Sequence, residues 1–582
     1  MDRIVFFLFL VNLLNAQTIP ADRTVEWSSA IKDINHDMTS FIQIGNGVLD
    51  GNGTTANDEI FRTILQDVQP AGTTIILPKG DFLFNEPIVL PPGTILKGFN
   101  SHETRFLMDL KGSGDAFSIK GVSINSDKSV IKESFGKGQN FIVVDDASSW
   151  SAGQWFKITI DDKSLVTSDW AYNSVGQIMQ IKSISGNTLH LNQKLRLQAE
   201  TNGLPVITRI EPIQNVGIEC LTIERLDNTA PQQTSNIYFE NAVNCWVKGV
   251  QSLNSNFGHI TISSSSNIQV KRSYMHSAFE YSGGGRGYGV VLQFTTGECL
   301  IENNIFRHLR HSVLLQAGAN GNVISYNYSH DPFWTSSPSD AAGDMVLHGN
   351  YVFANLFEQN ICQNIVIDNS HGPNGPHNTF FRNRAEKYGI FFSAANSPSQ
   401  NIVGNEIPNT VFPYSFVNYT INGADQFTYS NNNKGVIVPV NTTNFPEKSL
   451  VYYVKPNFLS DDQWGGIGSP NAVSSRNIPA YDRWKDANPM YNACSEMLSN
   501  NDTEETEGIV YYPNPFHNEL TIKSNTKIQK CVLYNVVGKI IFAETPNKEV
   551  LKVNSSHWFP GIYLVVLIDE NNLSKTFKVF KY

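Results

Sequence analysis

Histidine and arginine are concentrated in one part of this chain. Seven of the 13 histidines lie between residues 276 and 377. They are His276, His308, His311, His330, His348, His371 and His377. Arg286, Arg307 and Arg310 lie in the same stretch, and Lys387 follows it. Histidine exchanges a proton near neutral pH, and a cation stabilises an anion, so this composition predicts acid–base chemistry on an anionic ligand.

These residues recur at a fixed phase. Asn304 and Asn327 are 23 residues apart, and so are Asn360 and Asn383. Counted from Ser273 and these four asparagines, the third following residues are His276, Arg307, His330, Gln363 and Glu386. The fourth following residues are Ser277, His308, Asp331, Asn364 and Lys387. The sequence therefore predicts two columns of unlike ionisable side chains on successive coils, about 4.8 Å apart.

A repeat of this length with short β-branched runs is typical of a parallel β-helix. Each coil would contain three short strands and three corners, with aliphatic side chains inside. We expect the repeated asparagines to take the left-handed conformation at a corner and to hydrogen-bond the asparagines of neighbouring coils. The phasing of a leucine-rich repeat is missing, and fixed-phase Asn and Gly exclude an α-solenoid.

Two insertions interrupt the repeat beside the columns. One contains Gly283–Gly289, with Arg286 and Tyr288, and the other runs from Asp331 to Asp344 and contains Trp334. Loops added to a rigid scaffold are where sites are usually built. We expect Arg286 and Tyr288 to contact a sugar carboxylate or hydroxyl, and Trp334 to stack on a sugar ring.

Other segments predict elements outside the repeat. Residues 57–65 have helical spacing and are expected to cap the N-terminal end of the solenoid. Thr73–Gly80 and Pro91–Gly98 each predict a strand followed by a turn. Residues 136–200 do not keep the period and predict a small antiparallel β insertion.

The two ends of the chain differ from the middle. An apolar run from Ile4 to Leu14 is too short to span a bilayer, so residues 1–16 are predicted to be a cleaved signal peptide. Residues 495–510 are polar and acidic and predict a linker. A formal net charge of −10, with no basic run, argues against general nucleic-acid binding. No later stretch is apolar enough to predict a membrane helix.

The N-terminal part resembles a known fold family. The helix at 57–65, followed by a strand that ends in Leu77-Pro-Lys-Gly80, resembles the start of pectate-lyase-like proteins. The resemblance implies an all-β fold, a right-handed single-stranded parallel β-helix, which we assign to residues 17–494.

The C-terminal part resembles a second family. The segments that begin at Tyr512, Glu519, Val532 and Gly561 are similar, in order, to those of the type IX secretion C-terminal sorting domain. This resemblance implies a small Ig-like β-sandwich over residues 511–582. It also implies export across the outer membrane by the type IX secretion machinery, and a protein that is secreted or attached to the cell surface.

Pectate-lyase-like folds host both polysaccharide lyases and glycoside hydrolases. A lyase needs a base and cations that neutralise a uronate carboxylate. The candidate catalytic residues are His308, Arg310, His311, His330, Asp331 and Asp344. The candidate substrate-binding residues are Arg286, Tyr288, Arg307, Trp334, His348, His371, His377 and Lys387. The sequence favours β-elimination of a uronate-containing polysaccharide, because basic groups outnumber carboxylates in the columns.

Two alternatives remain open. A hydrolase would need two carboxyl groups beside the glycosidic oxygen, and Asp331, Asp340 and Asp344 could supply them. The third interpretation is a non-catalytic surface protein, such as an adhesin or a polysaccharide-binding solenoid.

No cofactor is required by the sequence. The turn from His371 to His377 holds two histidines, but its spacing is not diagnostic of a metal site. The β-helix resemblance makes calcium, bound by Asp and Asn, the more favoured ion. The six cysteines form no CxxC pair and are predicted to be buried small side chains. They are Cys220, Cys245, Cys299, Cys362, Cys494 and Cys531.

Overall fold

A computed structural model of the protein describes residues 18–581 with short gaps. The gaps are residues 35–39, 46, 70–71, 113, 201–204, 229–231, 369, 393–396, 417–420, 443–444, 460–463, 469–476, 487–508, 513–515, 536–538 and 572–573. The predicted signal peptide and residues 495–508 of the predicted linker therefore lie outside the described residues. The chain divides into two compact units, Met1–Cys494 and Ser495–Tyr582.

The first unit is a solenoid of parallel strands in two rows. The first row, here called side 1, contains 13 described strands: Ser40–Gln43, Thr73–Ile76, Thr94–Lys97, Ile213–Gln214, Gly217–Glu219, Ala242–Lys248, Ser266–Lys271, Leu300–Glu302, Val323–Ser325, Leu356–Glu358, Thr379–Phe381, Asn401–Val403 and Phe427–Tyr429. Each pairs in parallel with strands of neighbouring coils, which is the predicted parallel β-helix.

The second row contains 20 described strands, and in most coils it bends. They are Asn52–Ala56, Gly80–Phe84, Ile88–Val89, Thr104–Met108, Phe117–Lys120, Thr222–Arg225, Ile237–Glu240, Gln251–Ser255, Gly258–Ser263, Tyr274–Ala278, Tyr288–Gln293, Ile305–Arg307, His311–Leu315, Tyr328–His330, Met345–Leu347, Ile361–Ile367, Arg384–Phe392, Glu406–Ile407, Asn431–Asn433 and Val436–Val438. We call the part before the bend, such as Ile305–Arg307, side 2, and the part after it, such as His311–Leu315, side 3.

Aliphatic side chains that point inward fix the register between coils. On side 3, Val290 lies in register with Val313, and Val313 lies in register with Met345. All three are fully buried in one core that follows the solenoid. A shift of one residue would turn this column outward, so the burial of the column specifies the register.

A ladder of buried asparagines occupies the corner between side 1 and side 2. Its members are Asn304, Asn327, Asn360, Asn383, Asn405 and Asn431. The Oδ1 of Asn327 accepts hydrogen bonds from the backbone N and from Nδ2 of Asn304, both at 3.0 Å. The Nδ2 of Asn327 donates to the Ile301 carbonyl at 2.7 Å. These bonds confirm the predicted contacts between asparagines of neighbouring coils.

The prediction that the repeated asparagines are left-handed holds for Asn244 and Asn267, with φ of 53° and 56°, but is wrong for the ladder asparagines. The positive φ belongs to the residue before the ladder position: 57° at Asn303, 55° at Tyr326, 56° at Gln359 and 54° at Arg382. The chain turns one residue early because the ladder side chain must enter the solenoid to reach both neighbouring coils.

A helix covers the N-terminal end of the solenoid, as predicted. It spans Asp58–Gln66, and its Phe61 is 1% exposed. The Phe61 ring packs edge-on against Phe84 and Phe106, with centroids 5.4 and 5.8 Å away. The other described helices are Pro479–Asp486 and three short 3-10 turns, Ala21–Arg23, Asp169–Ala171 and Tyr414–Phe416.

The segment that breaks the repeat is an antiparallel sheet of six described strands. They are Val122–Val130, Phe141–Val143, Trp155–Thr159, Gly176–Ser185, Thr188–Leu191 and Val206–Glu211. The sheet thus begins before residue 136 and ends after residue 200. Its core includes Phe156 and Met179, and it packs against the solenoid corner at Phe353. We call this segment the insert.

The second unit is a small antiparallel β-sandwich. Its six described strands are Ile509–Tyr512, Glu519–Asn535, Ile540–Glu544, Lys548–Asn554, Gly561–Asp569 and Ser574–Lys581. The first half of Glu519–Asn535 pairs with Lys548–Asn554 and the second half with Gly561–Asp569, so this long strand belongs to both layers. Leu520, Val553 and Val565 are buried between them.

The prediction that the cysteines are buried is confirmed for the five described ones, but one of the five is not a free thiol. Cys245, Cys299, Cys362 and Cys531 are free and buried. Cys220 is bonded in a disulfide. A disulfide depends on the distance between two Cα atoms, about 5.5 Å, which sparse spacing in the sequence cannot show. Cys494 lies outside the described residues.

We predict that Asn327→Ala lowers the free energy of unfolding by about 3 kcal/mol, because Ala leaves several buried donors and acceptors unpaired. Chemical denaturation of the variant and the parent measures the change. Asn140→Ala is the control, since Asn140 is exposed. An equal midpoint for Asn327→Ala and Asn140→Ala would contradict the structural role of the ladder.

Candidate functional site

The predicted stacking of side chains on side 2 is confirmed. His276 lies in register with Arg307, and Arg307 with His330. Further along this column, Nε2 of Gln363 donates to Glu386 at 3.1 Å.

The C-terminal segment of the first unit packs against the middle of this column, at Arg307 and His330. Trp484, from the helix Pro479–Asp486, lies over His330 with ring centroids 4.2 Å apart. The Arg307 guanidinium lies 5.5 Å from the centre of the same indole. Burial lowers the pKa of His330 to about 4 and, with the charge of Arg307, that of His276 to about 4. This face is therefore a packing surface with Arg307 at its exposed edge.

The neighbouring corner column forms an aromatic cluster. His308 Nδ1 lies 2.9 Å from Asp331 Oδ2. The His308 ring stacks on Phe333, centroids 4.9 Å apart, and meets Tyr281 edge-on at 5.1 Å. Trp334 donates through Nε1 to the Pro338 carbonyl of its own loop at 2.7 Å. These contacts fix the start of the loop 331–344 on the solenoid.

The other two aspartates of that loop are engaged in its folding. Asp344 is 1% exposed and accepts hydrogen bonds from Ser329 Oγ and from the backbone N of Gln363 and Asn364. Burial raises the pKa of Asp344 to about 6. A polymer cannot reach this carboxyl group, so we do not retain Asp344 as a candidate catalytic residue.

Asp340 connects the loop 331–344 to later coils of the solenoid through hydrogen bonds. Its carboxylate accepts hydrogen bonds from Lys387 Nζ at 3.0 Å, Tyr388 Oη at 3.1 Å and Tyr414 Oη at 2.5 Å. Burial opposes ionisation of Asp340, but these donors outweigh it and lower its pKa. Asp331, Asp340 and Asp344, the three aspartates considered for hydrolysis, are thus each hydrogen-bonded to a different set of donors. Lys387 is paired with Asp340.

Side 3 brings a different set of candidates together. We call it the histidine groove and define it by Tyr288, Arg310, His311, His348, Asp368 and His371. Its floor is the column Val291, Leu314 and Val346, which lie in register on successive coils. These residues alternate with the inward column of Val290, so they point to the outside. Fully buried aliphatic side chains on an outward face require flanking groups that cover them.

The flanking groups differ on the two sides of the floor. On the side of the bend, Tyr288 lies in register with His311, and their rings stack with centroids 5.0 Å apart. On the other side, Gln316 Nε2 donates to Gln293 Oε1 at 2.7 Å, and His348 follows Gln316 in the same column. The floor therefore lies between an aromatic edge and a polar edge.

A histidine–aspartate pair stands on the polar edge. His348 Nδ1 lies 2.7 Å from Asp368 Oδ2. The carboxylate can only accept, so Nδ1 carries the proton and Nε2 of the neutral ring keeps its lone pair. Burial would raise the pKa of Asp368, but the hydrogen bond from His348 and its charge lower it instead. This arrangement orients His348 as a proton acceptor.

His311 and His371 surround that pair. The centroids of their rings lie 6.0 and 4.8 Å from that of His348. His311 Nδ1 lies 2.7 Å from the Gly343 carbonyl, which also fixes its tautomer, and its buried Nε2 has no partner among the described residues. Burial, with the charges of Arg310 and His348, lowers the pKa of His311 to about 3.

Arg310 supplies a cation on the aromatic edge. Its Nη1 donates to the Ser282 carbonyl at 3.0 Å and to Tyr288 Oη at 3.4 Å. Among the described residues no carboxylate forms a salt bridge with Arg310, whereas Arg286 is paired with Glu280. Arg286 also donates to Ser282 Oγ at 2.8 Å. A half-buried guanidinium without a counter-ion is suited to an anionic ligand.

The two histidines of the turn 371–377 lie in different parts of the structure. His371 lies beside His348 and contacts Ser168 Oγ through Nδ1 at 3.3 Å. His377 Nδ1 lies 3.3 Å from Lys137 Nζ, on the insert. Within the described part of the chain, no group of three or more His, Cys, Asp or Glu side chains is arranged to bind a metal ion.

The sequence did not indicate one residue of the groove, Asp368, and one residue beside it, Trp170. Asp368 follows His348 in the same column but only 20 residues later, whereas the repeat of 23 residues leads from His348 to His371. Trp170 belongs to the insert, where no repeat applies, and its place beside His371 has no signal in the sequence.

Comparison with known proteins identifies the second unit. Residues 510–581 match the model of the secretion system C-terminal sorting domain. This module is a type IX sorting domain. It indicates export to the cell surface or the medium, and its partner is the type IX secretion machinery. The described residues include no helix that is long and apolar enough to cross a membrane. A search of curated protein sequences gave no significant match.

Solved structures resemble the chain only distantly. The tailspikes of Pseudomonas phages phi297 and LKA1 share 11% and 14% identity, with TM-scores of 0.43 and 0.41, over 67% and 62% of this chain. The chain spans 65% and 63% of the lengths of those tailspikes. DFA-IIIase from Arthrobacter chlorophenolicus shares 11% identity over 69% of this chain and 97% of its own, with a TM-score of 0.34. The fold assignment rests on the strand pairing described above.

We predict that His311 stays neutral from pH 8 to about pH 4, because burial lowers its pKa to about 3. Nuclear magnetic resonance of labelled histidine, with His311→Gln to assign the signal, measures this. Protonation of the unfolded chain near pH 6.5 then costs folding stability as pH falls towards 3. Removing His311 should therefore reduce the loss of stability on acidification. A His311 signal that titrates near pH 6.5 would contradict its burial.

Proposed function

We propose that this exported chain is a polysaccharide lyase that cleaves a uronate-containing polymer by β-elimination in the histidine groove. One observation carries the proposal: the oriented His348–Asp368 pair and Arg310, which forms no salt bridge with a carboxylate of the described residues, stand on opposite edges of the groove. In this proposal residues 17–494 are the mature catalytic domain, residues 1–16 are a cleaved signal peptide and residues 495–510 are a linker.

Each of these side chains would have its own role in the elimination. Arg310 would bind the uronate carboxylate, which makes the neighbouring C5–H more acidic. His348 Nε2 would take that proton while Asp368 stabilises the resulting imidazolium. The electron pair forms a C4–C5 double bond and the C4–O bond breaks. The leaving oxygen would then take the proton from the His348 imidazolium, which restores the base. Tyr288 is not assigned this step, because its side chain is buried and burial raises its pKa.

His311 would add no positive charge of its own where the polymer binds. Its lowered pKa leaves no second positive charge beside His348, so the imidazolium that forms on His348 is not opposed by another. The stack with Tyr288 holds the phenol in place. His311 thus positions its neighbours, and its Nε2 is too deeply buried to be the first proton acceptor.

Hydrolysis on the same scaffold has less support. It needs two accessible carboxyl groups on either side of one glycosidic oxygen. Asp344 is buried, and Asp340 and Asp331 are bound to cationic or aromatic partners of the loop 331–344. A non-catalytic adhesin would need no oriented histidine–aspartate pair.

We predict that the first unit releases unsaturated products from alginate or polygalacturonate, and that His348→Gln lowers kcat by about 10²- to 10⁴-fold, as expected for loss of a general base. Ultraviolet absorbance of the C4–C5 double bond and reducing ends should be measured together. His308→Gln is the matched comparison, because His308 is also paired with an aspartate through Nδ1. It should lose far less activity.

Three outcomes are informative. New reducing ends without new absorbance would mean hydrolysis and would contradict elimination. Equal losses in the two histidine variants would contradict the choice of groove. Binding without turnover, across both polymers and neutral glycans, would favour the adhesin.

Arg310→Lys and Arg310→Ala test the carboxylate contact. We predict that both variants raise KM for a polyuronate and that Ala also lowers kcat, because carbanion stabilisation is lost along with binding. Steady-state kinetics on one polymer measure both constants. Arg286→Lys should change them less, since Arg286 is already neutralised by Glu280. The reverse order would assign the carboxylate to Arg286.

A further inference from the structure

The insert places one large aromatic side chain in solvent at the histidine groove. Trp170 lies in the 3-10 turn Asp169–Ala171 and is 46% exposed. Its ring lies 5.9 Å from that of Phe294 and 5.2 Å from that of His371, edge-on in both cases. Phe294 directly follows Gln293, so the indole stands beside the polar edge of the groove.

The turn that carries Trp170 is fixed to the solenoid on both sides. Asn350 Oδ1 accepts hydrogen bonds from the backbone N of Thr167 at 3.0 Å and of Ser168 at 3.3 Å. Beyond the turn, Thr295 Oγ1 donates to the Ser174 carbonyl at 2.5 Å. A Cβ on Gly372 would lie 2.4 Å from the Thr167 side chain, so the insert and the corner are in close contact. The indole is therefore held in one place although much of its surface is free.

The polar edge next to Trp170 offers hydrogen-bonding groups. The bond from Gln316 Nε2 to Gln293 Oε1 uses one donor and one acceptor of this pair. It leaves the Gln293 amide as a donor and the Gln316 carbonyl as an acceptor. An aromatic face beside amide groups is the combination that binds a sugar ring, with the apolar C–H face on the aromatic ring and the hydroxyls on the amides.

We propose that Trp170 is a stacking subsite for a sugar ring of the bound polymer, away from the cleavage centre at His348 and Arg310. The insert thereby acts as a specificity element that selects long chains over short ones. This inference rests on the proposed function, because it concerns the same groove. Packing alone would give a different result, since a residue needed only for packing would be covered.

The test uses full-length protein with His348→Gln to prevent turnover, and oligomers of alginate and of polygalacturonate as probes. Calorimetry should show that Trp170→Ala weakens binding of long oligomers about tenfold while the shortest bound oligomer is unaffected, as expected for loss of one stacking contact. Trp170→Phe should recover most of the affinity. Phe99→Ala is the control, because Phe99 is 50% exposed on a distant coil.

The outcomes separate the two proposals. Equal binding of long oligomers by the parent and Trp170→Ala would overturn the subsite and leave the lyase proposal intact. Equal weakening for every oligomer length, with a lower melting temperature, would also overturn it, since that pattern is structural. Failure of the parent to bind either polyuronate would overturn both.

Discussion

Hydrogen bonding of each coil to the next in parallel register is the interaction on which the rest of this structure depends. The buried asparagine ladder fixes one corner, and the aliphatic column of Val290 fixes side 3. Because residues in register lie about 4.8 Å apart, side chains far apart in sequence become neighbours without any further constraint. His348 and Asp368 meet in this way, and so do Tyr288 and His311.

The chemistry of the groove follows from the same rigidity. A stacked β-helix cannot relax easily around a buried charge, so burial lowers the pKa of His259 and of His311 to about 3. The buried Asp344 accepts hydrogen bonds from two backbone amides. The groove differs because, in the described part of the chain, Arg310 forms no salt bridge with a carboxylate, and the hydrogen bond of His348 to Asp368 uses only one of its ring nitrogens. The contrast with the packed face at Trp484, where similar residue types are covered, shows that residue type alone does not define a site.

The repeat made much of the fold predictable. A period of 23 residues gave the parallel β-helix, the asparagine ladder and the stacking of His276, Arg307 and His330, because in a solenoid sequence spacing is also spatial position. The sorting domain was recognisable from its segments. The left-handed corner residues were misplaced by one, since the sequence shows which residue is repeated but not where the backbone turns.

The site was less predictable for two physical reasons. The columns on side 2 satisfy the repeat, but a later segment, centred on Trp484, returns to cover them, and nothing in the repeat indicates this. The insert brings Trp170 to the groove from about 200 residues away from His371, through contacts that only the folded chain makes. Asp368 was also out of reach, because this coil is three residues shorter than the repeat of 23 and counting from His348 leads to His371.

The location of a bound polymer tests the account most directly. A crystal structure of His348→Gln soaked with a polyuronate tetramer would show it. The account predicts a sugar ring between the aromatic edge and the polar edge of the histidine groove, with its carboxylate on Arg310 and its C5–H directed at position 348. A sugar bound on the face of Arg307 and Trp484, or at the loop 331–344, would contradict the assignment of the groove.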